Sequence, residues 1–163
     1  MKLLLIHSDY IEYEVKNKAI KNPEEISKKT DRFEEALTVF TAVEKIDAKS
    51  SEIAVKKAID DIIKTAEQLK VKNIMIYPYA HLSSNLASPK KAQEILIEIE
   101  YELKQKNFNV KRSPFGWYKA FKTGISCAFN LFCRPNFKSL FANFLGLGCF
   151  SKNLDSLLIA DSA

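Results

Sequence analysis

Three short stretches carry the side chains best suited to acid–base or charge chemistry: His7-Ser8-Asp9, His81-Leu82-Ser83-Ser84 and Tyr118-Lys119. The chain has only two histidines, and these stretches hold both. The second lies in "YPYAHLSSN" (77–85), directly after the apolar run Ile74-Met75-Ile76. A strand that empties into His, Ser, Ser and Asn reads as a pocket wall. Each stretch also has a bland reading. "HSD" after a strand is equally a turn with a hydrogen-bonded His. His81 can cap a helix or satisfy a loop carbonyl, and a lone His at a strand end is more often structural than catalytic. Lys119 can be a solvated strand lysine, the usual fate of Lys.

Other chemistries are excluded by what is missing. There is no GxGxxG or GxxxxGK[ST] and there are four glycines in all, so phosphate-cradling loops of those kinds are absent. There is no GxSxG nucleophile elbow. There is no HExxH, and two histidines without a Cys partner make a poor metal site. No cofactor and no metal are expected.

The whole chain sets wider limits. Its 163 residues suit one domain that buries its own core without staples. Apolar residues make up 47% and charged residues 28%, a globular balance. The net charge of +5 permits a polyanionic partner without demanding one. The first residues lack the apolar core and cleavage site of a signal peptide, and no run of 18 apolar residues exists, so no membrane partner is expected. Cys127, Cys133 and Cys149 are odd in number and not spaced for zinc, which fits thiols in a reducing, cytoplasmic compartment.

Composition divides the chain into a well-patterned domain over 1–122 and a divergent tail over 123–163. The tail holds all three cysteines and six of the eleven phenylalanines: Phe129, Phe132, Phe137, Phe141, Phe144 and Phe150. Only Arg134, Lys138 and Lys152 are basic there.

Patterning over 1–122 gives the elements that must position the candidates. "KLLLIHS" reads as a short central strand, "YIEYEVKNK" as a second extended segment that alternates less cleanly, and "ALTVFTAVEKID" (36–47) as a strand. Residues 51–69 place apolar side chains at 55, 58, 59, 62, 66 and 69, which is helical spacing. "NIMIYPY" is a strand. A second helix follows, with Ser88 as N-cap, Pro89 as its first residue and a buried face of Ala92, Ile95, Leu96, Ile99 and Leu103. "FNVKR" and "FGWYKAFK" are strands. The order predicts an α/β domain: a mixed sheet with two helices on one face. Pattern alone stops at a soluble cytosolic α/β domain.

Three separated blocks add more. "LLIHSDYIEYEVKNKAIKNPEEIS", "YPYAHLSS" and "SPFGWYKAFK", in that order, together resemble the N-terminal editing domain of archaeal threonyl-tRNA synthetases over residues 1–122. The resemblance implies a fold like that of D-aminoacyl-tRNA deacylases, which dimerises. It implies hydrolysis of L-serine wrongly esterified to tRNA(Thr), assisted by the ribose 2′-hydroxyl of the terminal adenosine. The implied partners are the 3′ end of tRNA(Thr) carrying a seryl ester, a second copy of the chain and, for a free-standing editing domain, a separate threonyl-tRNA synthetase. At matching positions, Lys119 and His81 are the implied catalytic residues. Val43, Ala80, Phe115 and Tyr118 are the implied substrate-binding ones. For Ser83 and Ser84 a plain loop-turn role stands beside a role in the site.

The need for such a site is physical. Serine lacks one methyl group of threonine, and a methyl gives a synthetic pocket roughly 1–3 kcal/mol, or about 10–200-fold discrimination. A second site must admit seryl esters and reject threonyl ones. The chain also departs from the family pattern. Thr123-Gly124 precede Ile125-Ser126-Cys127, and "AFNLFCRPNF" replaces the family's Lys-Gly-His-Pro and Glu-Leu-Ser-Arg stretches, so the family's acidic site residue has no counterpart. Two function classes follow: an active editing deacylase, or a truncated or frameshifted non-catalytic remnant that keeps the fold and binds tRNA or its own copy.

Overall fold

The computed structural model describes residues 1–125. Residues 126–163 of the Phe- and Cys-rich tail, with Cys127, Cys133 and Cys149, lie outside the described residues. Five strands form one mixed sheet: β1 (Lys2–Lys18), β2 (Thr30–Ala42), β3 (Asn73–Pro78), β4 (Asn109–Arg112) and β5 (Trp117–Ile125), in the order β4-β3-β2-β1-β5. β1 is antiparallel to β2 and β5, whereas β2, β3 and β4 run parallel. The helices are α1 (Lys45–Lys49), α2 (Ser51–Leu69) and α3 (Pro89–Gln105).

α2 and α3 cover the same face, as the helical spacing predicts. Val55, Ala58, Ile59, Ile62 and Ala66 of α2 pack with Ala92, Ile95, Leu96, Ile99 and Leu103 of α3 over Leu5, Leu37, Val39, Ile74, Ile76 and Val110 of the sheet. Pro89 opens α3 after Ser88, where a missing backbone N–H costs nothing. β5 continues through Ile125, past the compositional change at 123.

Two sequence expectations are corrected. The expected first and second strands are one 17-residue strand, β1. "HSD" is therefore not a turn after a strand but the middle of one. Leu4 pairs with Phe40, and Ile11 pairs with Phe33; all four point to the face away from the helices. Strict alternation cannot put both Leu4 and Ile11 on one face. Irregularities at Asp9 and Glu35, the latter at φ 44°, reset it in both strands, and the pairing of β1 with β5 shifts at the same place. That reset blurs the alternation in "YIEYEVKNK". The strand expected over 36–47 starts earlier, at Thr30, and ends at Ala42. Its last residues instead enter α1, which begins with a reciprocal capping box between Glu44 and Asp47.

The reset lets the sheet curl. Tyr77 on β3 and Phe121 on β5 are separated by β2 and β1, which in a flat sheet would put them about 14 Å apart. Their ring centroids lie 5.4 Å apart. Phe40 meets both rings at 5.1 Å. The far ends of β1 and β2 fold over this aromatic core until Lys111 of β4 reaches Asp31 of β2 at 3.0 Å.

Candidate functional site

The chain segments leaving the carboxyl ends of β2, β3 and β4 meet around a pocket of about 200 Å³. Parallel strands present ligands there because their crossovers all leave on one side and open a crevice. Thr41 and Val43 come from the end of β2, residues 77–81 from the end of β3, Ala92 and Leu96 from α3, and Phe115 through Lys119 from the turn into β5. Val43, Ala80, His81, Phe115, Tyr118 and Lys119 are thus brought together although up to 76 positions separate them in the chain. His7, Ser8, Asp9, Ser83 and Ser84 do not line it.

Lys119 is not a solvated strand lysine. Alternation along β5 turns it with Phe121 and Thr123 into the curled core, and it is 4% exposed. Its Nζ donates to the Pro114 carbonyl at 2.7 Å and stands 5.0 Å from the centroid of the Tyr77 ring. A buried ammonium needs such partners to offset lost hydration. Lys122 points the other way and is exposed.

His81 sits in a short 3-10 turn, Ala80–Leu82, directly after β3. It is exposed at the pocket rim and meets Tyr79 edge-on at 5.3 Å. Leu82 anchors the turn in the aromatic core, and the Tyr79 N–H donates to the Thr41 carbonyl. Tyr118 borders the pocket at 40% exposure.

Ser83 has a structural partner: its hydroxyl donates to Glu44 Oε1 at 2.6 Å and accepts from the Asn85 N–H. Burial pushes the Glu44 carboxyl up, but the Ser83 hydroxyl and the Met1 ammonium outweigh it and hold the carboxyl below its ordinary range. In "HSD", Ser8 is buried against the Thr38 hydroxyl at 3.0 Å, inside the sheet. Among the described residues, no group of three His, Cys, Asp or Glu side chains is placed to hold a metal ion, and no helix is long and apolar enough to cross a membrane.

Sequence reading missed the second layer of the site. Glu24 lies in the loop between β1 and β2, and its carboxylate takes two hydrogen bonds from Arg112, at 2.6 and 2.7 Å. Gly116 turns the chain at φ 82°, and a Cβ there would meet Ile20 Cδ1 at 2.7 Å and Pro23 Cα at 3.0 Å. The glycine in "SPFGWY" was the available signal for that turn. For Glu24 no local signal exists, because its partner is 88 positions away.

The curled mixed sheet, its one-sided helix layer and a pocket beside a buried ammonium define an α/β domain. Residues 1–130 match the archaea-specific editing domain of threonyl-tRNA synthetase. The threonine–tRNA ligases of Thermococcus sibiricus and Pyrococcus horikoshii are each 57% identical over 129 residues, covering 78% of this chain and 20% of theirs. That of Methanococcus aeolicus is 57% identical over 127 residues, with the same coverage. The chain belongs to this editing-domain family, and it spans about a fifth of the length of the curated relatives it matches.

Proposed function

We propose that this domain hydrolyses the ester of L-serine wrongly attached to tRNA(Thr). The observation that carries the reading is the meeting of Lys119, His81, Val43, Ala80 and Phe115 around one pocket at the carboxyl ends of parallel strands. An aminoacyl ester is activated at its carbonyl, so positioning and charge stabilisation suffice without a protein nucleophile. The 3′-terminal adenosine of the tRNA enters at the rim, and its ribose 2′-hydroxyl assists attack at the ester carbon. Lys119 contacts the ribose oxygens or the developing oxyanion; its burial strengthens the charge it presents. His81 holds the attacking water or the serine hydroxyl. Val43, Ala80 and Phe115 line the amino-acid end, while Tyr118 flanks the mouth.

The domain meets tRNA(Thr) as a homodimer, in the cytoplasm. The test is single-turnover deacylation of seryl-tRNA(Thr) and threonyl-tRNA(Thr) by the chain itself. Fast loss of serine with slow loss of threonine is expected. Equal accelerated rates would overturn the preference for serine, and no hydrolysis of either ester above the uncatalysed rate would favour the alternative of a non-catalytic remnant.

A further inference from the structure

A single peptide group stands between the buried ammonium and a carboxylate. The Pro114 carbonyl accepts from Lys119 Nζ at 2.7 Å. The N–H of that same peptide, on Phe115, donates to Glu24 Oε2 at 2.9 Å. No peptide among the described residues is cis, and the C=O and N–H of a trans peptide point in opposite directions. The peptide dipole therefore turns its positive end to the carboxylate and its negative end to the ammonium. Hydrogen bonds joined in such a chain polarise one another and strengthen together.

Glu24 is itself held. Both carboxylate oxygens accept from Arg112 at the end of β4, and Arg112 Nε donates to Glu100 on α3 at 2.8 Å. The Arg112 side chain is 9% exposed. A bidentate pair so shielded fixes orientation as well as distance. The Glu24 backbone joins the same turn: its N–H donates to the Phe115 carbonyl at 3.0 Å, and its carbonyl accepts from the Trp117 indole N–H at 2.8 Å. Burial pushes the Glu24 carboxyl up, but hydrogen bonds from Arg112 and the Phe115 amide, with the charges of Arg112 and Lys119, hold it below its ordinary range. The clamp is therefore charged at neutral pH.

We propose that Glu24 is a positioning residue for Lys119: clamped by Arg112, it locks the Pro114–Phe115 peptide in the orientation whose carbonyl anchors the Lys119 ammonium at the pocket. Glu24 does not line the pocket, so it acts through Lys119 and not on the ligand. The catalytic consequence rests on the editing reading of the pocket; the anchoring does not. Without the carboxylate the peptide plane is free to turn, and the ammonium loses this acceptor.

The experiment compares wild type, Glu24→Gln and Arg112→Lys, each first shown to be folded by its cooperative melt, so that either variant can carry the test. The first readout needs no activity. Brief reductive methylation with formaldehyde and cyanoborohydride, mapped by peptide mass spectrometry, measures the reactivity of the Lys119 amine against exposed Lys122 as internal reference. Lys119 should be protected in wild type. Both variants should modify it about tenfold faster, the equivalent of one lost hydrogen bond to a charged group. The second readout is single-turnover hydrolysis of seryl-tRNA(Thr). Glu24→Gln should slow it about tenfold at saturating enzyme, within what misplacing a reacting group costs, and should leave the half-saturating enzyme concentration unchanged. In a Lys119→Ala background the same substitution should have almost no further effect, since both act at one ammonium. Wild-type reactivity of Lys119 in the folded variants overturns the positioning role. Raised reactivity with an unchanged rate, a shift in half-saturation alone, or a full tenfold loss in the Lys119→Ala background overturns its part in the chemistry. If wild type does not hydrolyse the seryl ester, the editing reading fails, and Lys119 reactivity still decides whether Glu24 anchors the ammonium.

Discussion

The two faces of the sheet are built from different materials. The helix-covered face is aliphatic: Leu37, Val39, Ile74 and Ile76 meet Ile62, Ile95, Leu96, Ile99 and Leu103. The curled face is aromatic, with Tyr13, Phe33, Phe40, Tyr77 and Phe121, and it buries Ser8, Thr38, Lys119 and Thr123 among them. Aliphatic packing against helices needs no partners and gives stability. The aromatic face can hold an ammonium, because ring faces and carbonyls replace part of its water. The candidate site lies where the two faces meet, at the carboxyl ends of β2 and β3. One face supplies stiffness and the other supplies charge.

Substitutions on the two faces should separate these duties. Ile95→Ala removes a fully buried side chain between α3 and the sheet. It should cost about 2–5 kcal/mol of unfolding free energy, measured by urea titration. The serine-to-threonine selectivity of the protein that remains folded should not change. Selective loss of discrimination in Ile95→Ala would break the division between the faces.

Gly116→Ala should act at the junction. Its φ of 82° and the contact of a Cβ with Ile20 and the Pro23 backbone make any side chain strained. A residue held in such a conformation costs on the order of 1–3 kcal/mol. Seryl hydrolysis should fall with it, because the strain is relieved by moving the pocket wall. A variant with wild-type melting and wild-type rates would show that the turn tolerates what the geometry forbids.

The smallest effect is on acid stability. The Glu24 carboxyl is depressed in the folded protein, so its contribution is present above the unfolded value, roughly pH 4.3, and is lost as pH falls through the folded value. Glu24→Gln should be less stable than wild type at neutral pH, and the gap should narrow on acidification below about pH 4.3. A gap that is constant or widens across that range would contradict the assignment of Glu24 as a charged clamp.

How much of this was legible follows the same division. The helices and their buried faces could be read from one-turn spacing, since α2 and α3 each bury a single stripe. The mixed sheet followed from strand order. The curl did not, because it depends on the double irregularity at Asp9 and Glu35, and the charged stretch 30–35 resembles a loop until its pairing with β1 is known. The run after Ala42 kept a strand-like apolar rhythm through Val43 and Ile46, yet Glu44 and Asp47 cap a helix there. Residue type alone singled out His81 and Tyr118-Lys119 as candidates, and the resemblance supplied their implied roles. Glu24 was hidden in a Pro-Glu-Glu loop that looks like solvated charge. Its role comes from Arg112, which no local pattern connects to it.

The central claim is that chemistry occurs at Lys119, on the buried side of β5. Lys122, three residues on, points outward and supplies the matched control. The deciding measurement is single-turnover deacylation of seryl-tRNA(Thr) at saturating enzyme, with wild type, Lys119→Ala, Lys119→Arg and Lys122→Ala side by side. Hydrogen bonds to charged groups contribute roughly 1.5–3 kcal/mol, so Lys119→Ala should slow the reaction by about 10- to 100-fold. Lys119→Arg, which keeps the charge in a planar fork, should recover only part of the rate. Lys122→Ala should leave the rate nearly unchanged. A crippled Lys122→Ala beside a near-wild-type Lys119→Ala would place the chemistry on the wrong side of the strand for this account.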